Sequence, residues 1–195
     1  MIRRPMLVAV VVAAAVATLA VGFTAASFMD STSNAGSSFA TGTVSITDND
    51  AGAFMLALSS ATPGNSDTSC ITVTYTGSLD SSVRLYATVT GTLAPHLQLT
   101  VSRGTDPSPS FDACTNFTPD GADYIGSGPG IVYSGLLSAY PTTYGAGIVD
   151  PTSGSPETWT TSEAHSYRFV ISLNNNPAAQ GLSSTATFRW QARNL

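Results

Sequence analysis

Apolar and polar residues alternate with a period of two along most of the chain, the pattern of strands with one buried face. Val44 and Ile46 share a face of a run at 39–46, with Thr43, Ser45 and Thr47 opposite. Phe54, Leu56 and Leu58 share a face of the next short run, and Pro63-Gly64-Asn65 then marks a turn. Ile71, Val73 and Tyr75 alternate with Cys70, Thr72 and Thr74. Val83, Leu85, Ala87 and Val89 alternate with Arg84, Tyr86, Thr88 and Thr90. Leu97, Leu99 and Val101 make another run, and 131–137 a further one. Tyr167, Phe169, Ile171 and Leu173 alternate with Arg168, Val170 and Ser172, and Ala186, Phe188, Trp190 and Ala192 with Thr185, Thr187, Arg189 and Gln191. This predicts about eight strands and no amphipathic helix. The expected fold is all-β, a jelly-roll-like antiparallel β-sandwich, because two packed sheets bury one face of every strand. Long crossovers suit a jelly roll better than an immunoglobulin sandwich. Trp190, on a strand, is expected in the core, and Trp159, in a polar stretch, half exposed.

Two stretches break the alternation. Residues 104–127 and 138–158 are rich in Pro, Asp, Ser and Gly and are expected to be long loops. Their aromatic residues, Tyr124, Tyr140, Tyr144 and Trp159, would suit contact with a carbohydrate or protein.

The first 26 residues have the three parts of a secretory signal. Arg3 and Arg4 give a positive start, 6–21 is apolar except for Thr18, and Thr24, Ala25 and Ala26 offer a cut between Ala26 and Ser27. The expected organisation is therefore a signal helix at 1–26, an N-terminal arm at 27–37 and a sandwich domain at 38–195. A retained anchor is the alternative, since 6–29 carries no charge and is long enough to span a bilayer. The absence of a basic stop-transfer cluster favours cleavage, so membrane contact ends when a signal peptidase acts. The expected location is extracellular, at the cell surface or in a matrix.

Export changes the charge count. All seven basic residues are Arg, against twelve acids. Two Arg leave with the signal, so five remain and the net charge falls to -7. So acidic a domain has no cationic footprint for phosphates, and nucleic acid is not an expected partner. Export also decides the reading of Cys70 and Cys114, the two cysteines. An even count in an oxidising compartment predicts one disulfide, worth on the order of 4 kcal/mol for a loop this long. It would pin the 104–127 loop to a strand.

Residues capable of catalysis are few. There is no H-E-x-x-H and no G-x-S-x-G. His96 and His165 each sit at a strand start, far apart in sequence, and are expected at the surface or an edge. Glu157 and Glu163 are the two glutamates, and Glu163 is expected to serve a turn. Asp48-Asn49-Asp50, with Asp120 and Asp123, offers hard oxygen donors for Ca²⁺, but Ala51 and Gly52 fill positions where an EF-loop needs donors. Asx turns explain the triplet more simply. The expectation is no catalytic residue, no cofactor and no metal.

Three separated blocks resemble the TasA/camelysin family. The first is Ala26-Ser27-Phe28-Met29-Asp30 followed by Ser38-Phe39-Ala40-Thr41-Gly42-Thr43-Val44, similar to an A-x-F-x-D step and an F-x-x-G-T-[LV] strand. The second is Pro63-Gly64 and then 71–85, similar to the family's P-G-[DE] turn and N-x-G-S-L stretch. Here Asn65 follows the turn glycine, and Tyr75-Thr76 replaces the usual Asn-containing pair. The third is Glu163-Ala164-His165-Ser166-Tyr167-Arg168-Phe169, with Gln180-Gly181 and Phe188-Arg189-Trp190-Gln191-Ala192. The two long loops lie outside these blocks, and the Cys pair is not a general feature of the family.

The resemblance implies a SipW-dependent type of signal peptide cut by a dedicated peptidase. It also implies assembly into biofilm-matrix fibres, in which the N-terminal segment of one subunit completes the sheet of the next. Ser27, Phe28, Met29, Asp30, Phe39, Val44 and Ile46 are then the candidate assembly residues. The leading expectation is an exported structural subunit joined head-to-tail to identical copies by β-strand addition. The alternatives are a monomeric surface or adhesion module using the long loops, and a camelysin-like secreted metalloprotease. The residues lack the constellation the last would need.

Overall fold

In the computed structural model, residues 42–195 are described apart from 54, 57, 59 and 60. The signal helix, the Ala26-Ser27 cut, the arm with Phe28, Met29 and Asp30, and Phe39 lie outside the described residues. Nine strands occur among those described: β1 (Ile46–Asp48), β2 (Ser66–Tyr75), β3 (Ser81–Gly91), β4 (Leu97–Thr105), β5 (Thr118–Pro119), β6 (Ile131–Leu136), β7 (Ile148–Val149), β8 (Ala164–Leu173) and β9 (Ser184–Asn194).

Backbone pairing sorts them into two antiparallel sheets. The large sheet runs β1-β2-β8-β4-β5, with β6 also on β4, and the small sheet runs β7-β3-β9. The alternation of the sequence fixes which rows meet. Ile71, Val73 and Tyr75 on β2, Leu97, Leu99 and Val101 on β4, and Tyr167, Phe169, Ile171 and Leu173 on β8 are buried. Val83, Leu85 and Ala87 on β3 are buried opposite them. Aromatic rings bridge the sheets: Phe169 lies 4.7 Å from Phe188 and Tyr167 5.3 Å from Trp190, centroid to centroid. Each such side chain contributes roughly 1.5–3 kcal/mol by burial, and ring pairs somewhat more.

An all-β sandwich of two sheets is therefore the architecture. Several expectations change in detail. The run at 54–58 does not form a strand at its described positions; Met55, Leu56 and Leu58 pack half-buried against the core from irregular backbone. The cause lies just before it, where Ala51 and Gly52 both take positive φ (51° and 80°) and turn the chain out of its extended path. Among the described residues, the strand expected at 39–46 joins a ladder at Ile46–Asp48, where Ile46 faces Tyr75, and Val44 is exposed outside it. The two tryptophans exchange environments. Trp159 is fully buried, because its backbone bridges to Ser81 at the start of β3, and Trp190 is half-buried, because β9 is at a sheet edge. Each long loop also carries a two-residue strand, β5 or β7.

The disulfide joins Cys70 to Cys114 across 44 residues, with Cα atoms 5.2 Å apart. Cys70 lies within β2 rather than at its start, on the outer face of the large sheet. The loop lies over that face: Asp112 N–H donates to the Cys70 carbonyl (2.9 Å), and Arg168 sits 5.0 Å over the Phe117 ring. Reducing the disulfide, or replacing Cys70 and Cys114 with Ser, should lower unfolding stability by about 2–4 kcal/mol. It should also open the 106–117 loop to proteolysis first; urea titration and limited digestion check both.

Candidate functional site

The inward row of β4 reads Leu97, Leu99, Val101 and then Arg103. A strand that has buried three aliphatic side chains thus delivers a guanidinium to the same interior, 5% exposed. A buried cation needs anions, and four elements supply them. Arg103 Nε donates to Asp150 (3.1 Å), Nη1 to Asp120 (2.6 Å), and Nη2 to Glu157 and to His165 Nε2 (2.8 Å). Asp120 follows β5, Asp150 follows β7, Glu157 lies in the next loop, and His165 starts β8 on its inward row. Trp159 Nε1 (2.9 Å) and the Tyr167 hydroxyl (3.0 Å) also donate to Asp150, so that carboxylate is fully engaged.

Backbone bonds hold these loops in place. Asp150 N–H donates to the Val83 carbonyl, Glu157 N–H to the Asp150 carbonyl, and Asp120 N–H to the Arg103 carbonyl. A side chain on Gly104 would collide with the Thr118 carbonyl, so glycine is what lets β5 approach β4.

The charges shape one another. Burial works against the Arg103 cation, but Asp150, Tyr167, Asp120 and Glu157 together hold its pKa above the ordinary value. Burial pushes Asp150 up, against the pull of Arg103, His165, Tyr167 and Trp159. Burial also raises Glu157, with Glu163 reinforcing it and Arg103 opposing. Burial would raise Glu163 too, but bonds from Thr160 and His165 overcome it and leave it lowered. Tyr124, partly buried and donating to Asp120 (2.8 Å), is pushed up to about 12. His165 Nε2 faces both Arg103 Nη2 and Glu163 Oε1 (3.0 Å). One ring nitrogen accepts from the first or donates to the second, not both.

Asp150, Glu157 and His165 bring one donor atom each within 4.8 Å of one another, the spacing of metal ligands. The guanidinium that bonds all three already fills that position, so the residues do not fit a metal centre. His96 does not join them. It precedes Leu97, which pairs with Leu173, whereas His165 is at the opposite end of β8. Asp48, Asn49 and Asp50 serve turns and an edge: Asp50 N–H and Gly52 N–H donate to Asp48 and Asp50, and Thr72 N–H to Asn49. Asp123 accepts from Ser127 N–H. Glu163 caps its own turn by accepting from Thr160 N–H (2.8 Å), as expected. His165, expected at the surface or an edge, instead sits half-buried in the cluster.

A second feature is an edge. Among the described residues β9 pairs with β3 alone, leaving one side of an 11-residue strand open. Its inward row, Ala186, Phe188, Trp190 and Ala192, is half-buried, whereas Val83, Leu85 and Ala87 on the facing row of β3 are buried to 1% exposure or less. A groove of about 450 Å³ lies against it, lined by Met55, Leu56, Leu58, Ile171, Phe188 and Trp190. A smaller hollow of about 300 Å³ lies between β9 and β1, where Ile46 and Trp190 meet it. Trp190 Nε1 is buried without a hydrogen-bond partner among the described residues. Of the candidate assembly residues, Ile46 is at this hollow, Val44 is exposed nearby in sequence, and the others lie outside the described residues.

The loop aromatics proposed for ligand contact are mostly occupied. Tyr140 and Trp159 are core, Tyr124 is bonded to Asp120, and Tyr144 lies under Arg193. No family model matches the sequence, and no curated protein matches it. No helix among the described residues is long and apolar enough to cross a membrane.

Arg103→Met strands buried carboxylates and should lower unfolding stability by about 3–5 kcal/mol in urea titration, while Arg189→Met at the surface should change it little. The pH dependence follows from the raised carboxyls. Asp150 and Glu157 lose their protons at higher pH in the folded chain than in the unfolded chain, where carboxyls ionise near pH 4. Their contribution is complete below about pH 4 and is lost as pH rises through the raised folded values; that of Glu163, whose pKa is lowered, is present above about pH 4 and is lost as pH falls further. Melting temperature should therefore fall as pH rises above about 4, and Asp150→Asn should flatten that slope. A melting temperature that climbs across this range would contradict it.

Proposed function

We propose that the protein is an exported structural subunit, and that its copies join head-to-tail by β-strand addition into an extracellular or matrix fibre. The observation that carries this reading is β9: long, open on one side among the described residues, with an apolar inward row only half covered by them. An open strand edge presents unpaired N–H and C=O groups, and an extended segment that fills it gains main-chain bonds as well as side-chain burial. Soluble domains usually blunt such edges with charge, and Arg189 and Arg193 are the charged positions of β9. We assign the filling segment to residues 27–37 of a neighbouring copy, with Phe28 as its apolar anchor, after removal of a signal helix between Ala26 and Ser27.

The sandwich is read as a jelly roll, since the chain changes sheet between β2 and β3, between β3 and β4, between β6 and β7, between β7 and β8, and between β8 and β9. The resemblance of 26–30, 38–44, 163–169, 180–181 and 188–192 to TasA/camelysin sequences supports the same reading, because the last of these lies within β9. The peptidase associated with that family finds no support in the arginine-filled cluster. A head-to-tail contact does not close on itself, so addition of one copy leaves a new arm and a new edge.

The mature chain beginning at Ser27 should form filaments in negative-stain micrographs, with light scattering that grows with concentration. Deleting 27–36, or placing a charge in the groove with Ala186→Lys, should leave a chain that forms no filaments and melts like the parent. The reading fails if the mature chain stays monomeric across concentrations or if the deletion leaves assembly unchanged.

A further inference from the structure

The five arginines outside the expected signal are not spread over the surface. Arg103 is enclosed by carboxylates, and Arg168 lies beneath the disulfide loop against Phe117. The other three, Arg84, Arg189 and Arg193, all point from the outer face of the small sheet, alternating with the inward rows of β3 and β9. Register places Arg84 opposite Gln191, Tyr86 opposite Arg189, and Ser82 opposite Arg193. No outward position of either strand is acidic, and no carboxylate among the described residues pairs with these arginines.

The patch is partly ordered before any partner arrives. Tyr144 folds over the face, Arg84 donates to the Gly145 carbonyl (2.9 Å), and the Arg193 guanidinium stands 3.7 Å from the Tyr144 ring centroid. A guanidinium held on a ring has less freedom to lose on meeting a carboxylate, and its planar fork suits that partner.

The opposite side of the sandwich carries the reverse charge. The 104–127 stretch contains Asp106, Asp112, Asp120 and Asp123 and no basic residue. Asp120 is taken by Arg103, but Asp106 and the exposed Asp112 belong to the loop that the disulfide and the Asp112–Cys70 bond fasten over the large sheet.

We propose that the Arg84/Arg189/Arg193 face of one copy docks on the Asp106/Asp112 loop of a second copy, a sideways contact separate from the β9 edge. Each exposed pair is individually weak and screened by salt. At physiological ionic strength, where the screening length is about 8 Å, contact pairs act while the repulsion between whole acidic copies is damped. The contact is heterologous, so it repeats, and repetition along an assembly multiplies it. It needs no strand addition, so it stands or falls independently of the fibre reading.

The test is a charge swap in the mature chain. One variant carries Arg189→Glu with Arg193→Glu, the other Asp106→Arg with Asp112→Arg. Sedimentation equilibrium at physiological salt should show self-association of each variant at least about tenfold weaker than the parent, and recovery when the two are mixed. Circular dichroism melts confirm folding, and the neutral pair Arg189→Gln with Arg193→Gln should give an intermediate loss. In micrographs the swap should change side-by-side bundling, and the same swap in the chain lacking 27–36 should give the same sedimentation result, whereas failure of strand addition removes filaments and leaves that result intact. Single variants that associate like the parent, or a mixture that does not recover, overturn the proposal. So does arginine-dependent binding of soluble polyglutamate by a parent chain that shows no self-association.

Discussion

A small sheet cannot cover a large one. Six strands of the large sheet present an apolar face, and the small sheet offers two long strands and a two-residue third. Most of the structure follows from how the uncovered remainder is handled. Over β3 the cover is complete, and Val83, Leu85 and Ala87 are sealed from water. Past β3 on one side the loop with Tyr140 and the backbone bridge to Trp159 close the core. On the other side β9 is the last strand, and its inward aromatics stay half-buried against an open groove.

The end of the sandwich is closed with charge. Hydrophobic burial has no directional preference, so it cannot by itself position loops as long as 104–127 and 138–158. Arg103 does so by drawing one group from each of four segments to a single guanidinium. Such a cluster is costly to desolvate and stabilises little in total, but removing one member leaves its partners buried without a counter-charge. That asymmetry makes it a device for fixing geometry. The loop at 157–163 continues outward from the cluster: Ser162 N–H and Thr161 Oγ1 bond the Tyr75 and Gly77 carbonyls, and Thr76 and Gly77 N–H bond the Ser45 carbonyl. The segment leading into β1 is therefore anchored, through one turn, to the same structure that closes the core.

The alternation of side chains made the long strands legible, since Ile71 to Tyr75, Val83 to Ala87 and Tyr167 to Leu173 pack as their period demands. The cysteine pair was legible from number and compartment. What escaped was long-range. Trp159 reads as a loop residue because its burial comes from Ser81, far away in sequence. The cluster left one signal that periodicity contains: continuing the inward rows of β4 and β8 by two residues reaches Arg103 and His165. A charge on a buried row requires partners, but the spacing cannot say that Asp120, Asp150 and Glu157 supply them. At the described positions of the run at 54–58, irregular backbone follows a turn with positive φ at Ala51 and Gly52, which alternation alone does not reveal.

The half-covered edge of β9 is the point on which the functional account turns, and hydrogen–deuterium exchange reads it residue by residue. In the dilute mature chain, the amides of β9 that face away from β3 should exchange quickly, while those bonded to β3 are protected. On assembly the outward amides should slow, and fresh chain lacking 27–36 should leave them fast at every concentration. Outward amides that are already protected in the dilute chain, or that stay fast in assembled material, would contradict the account.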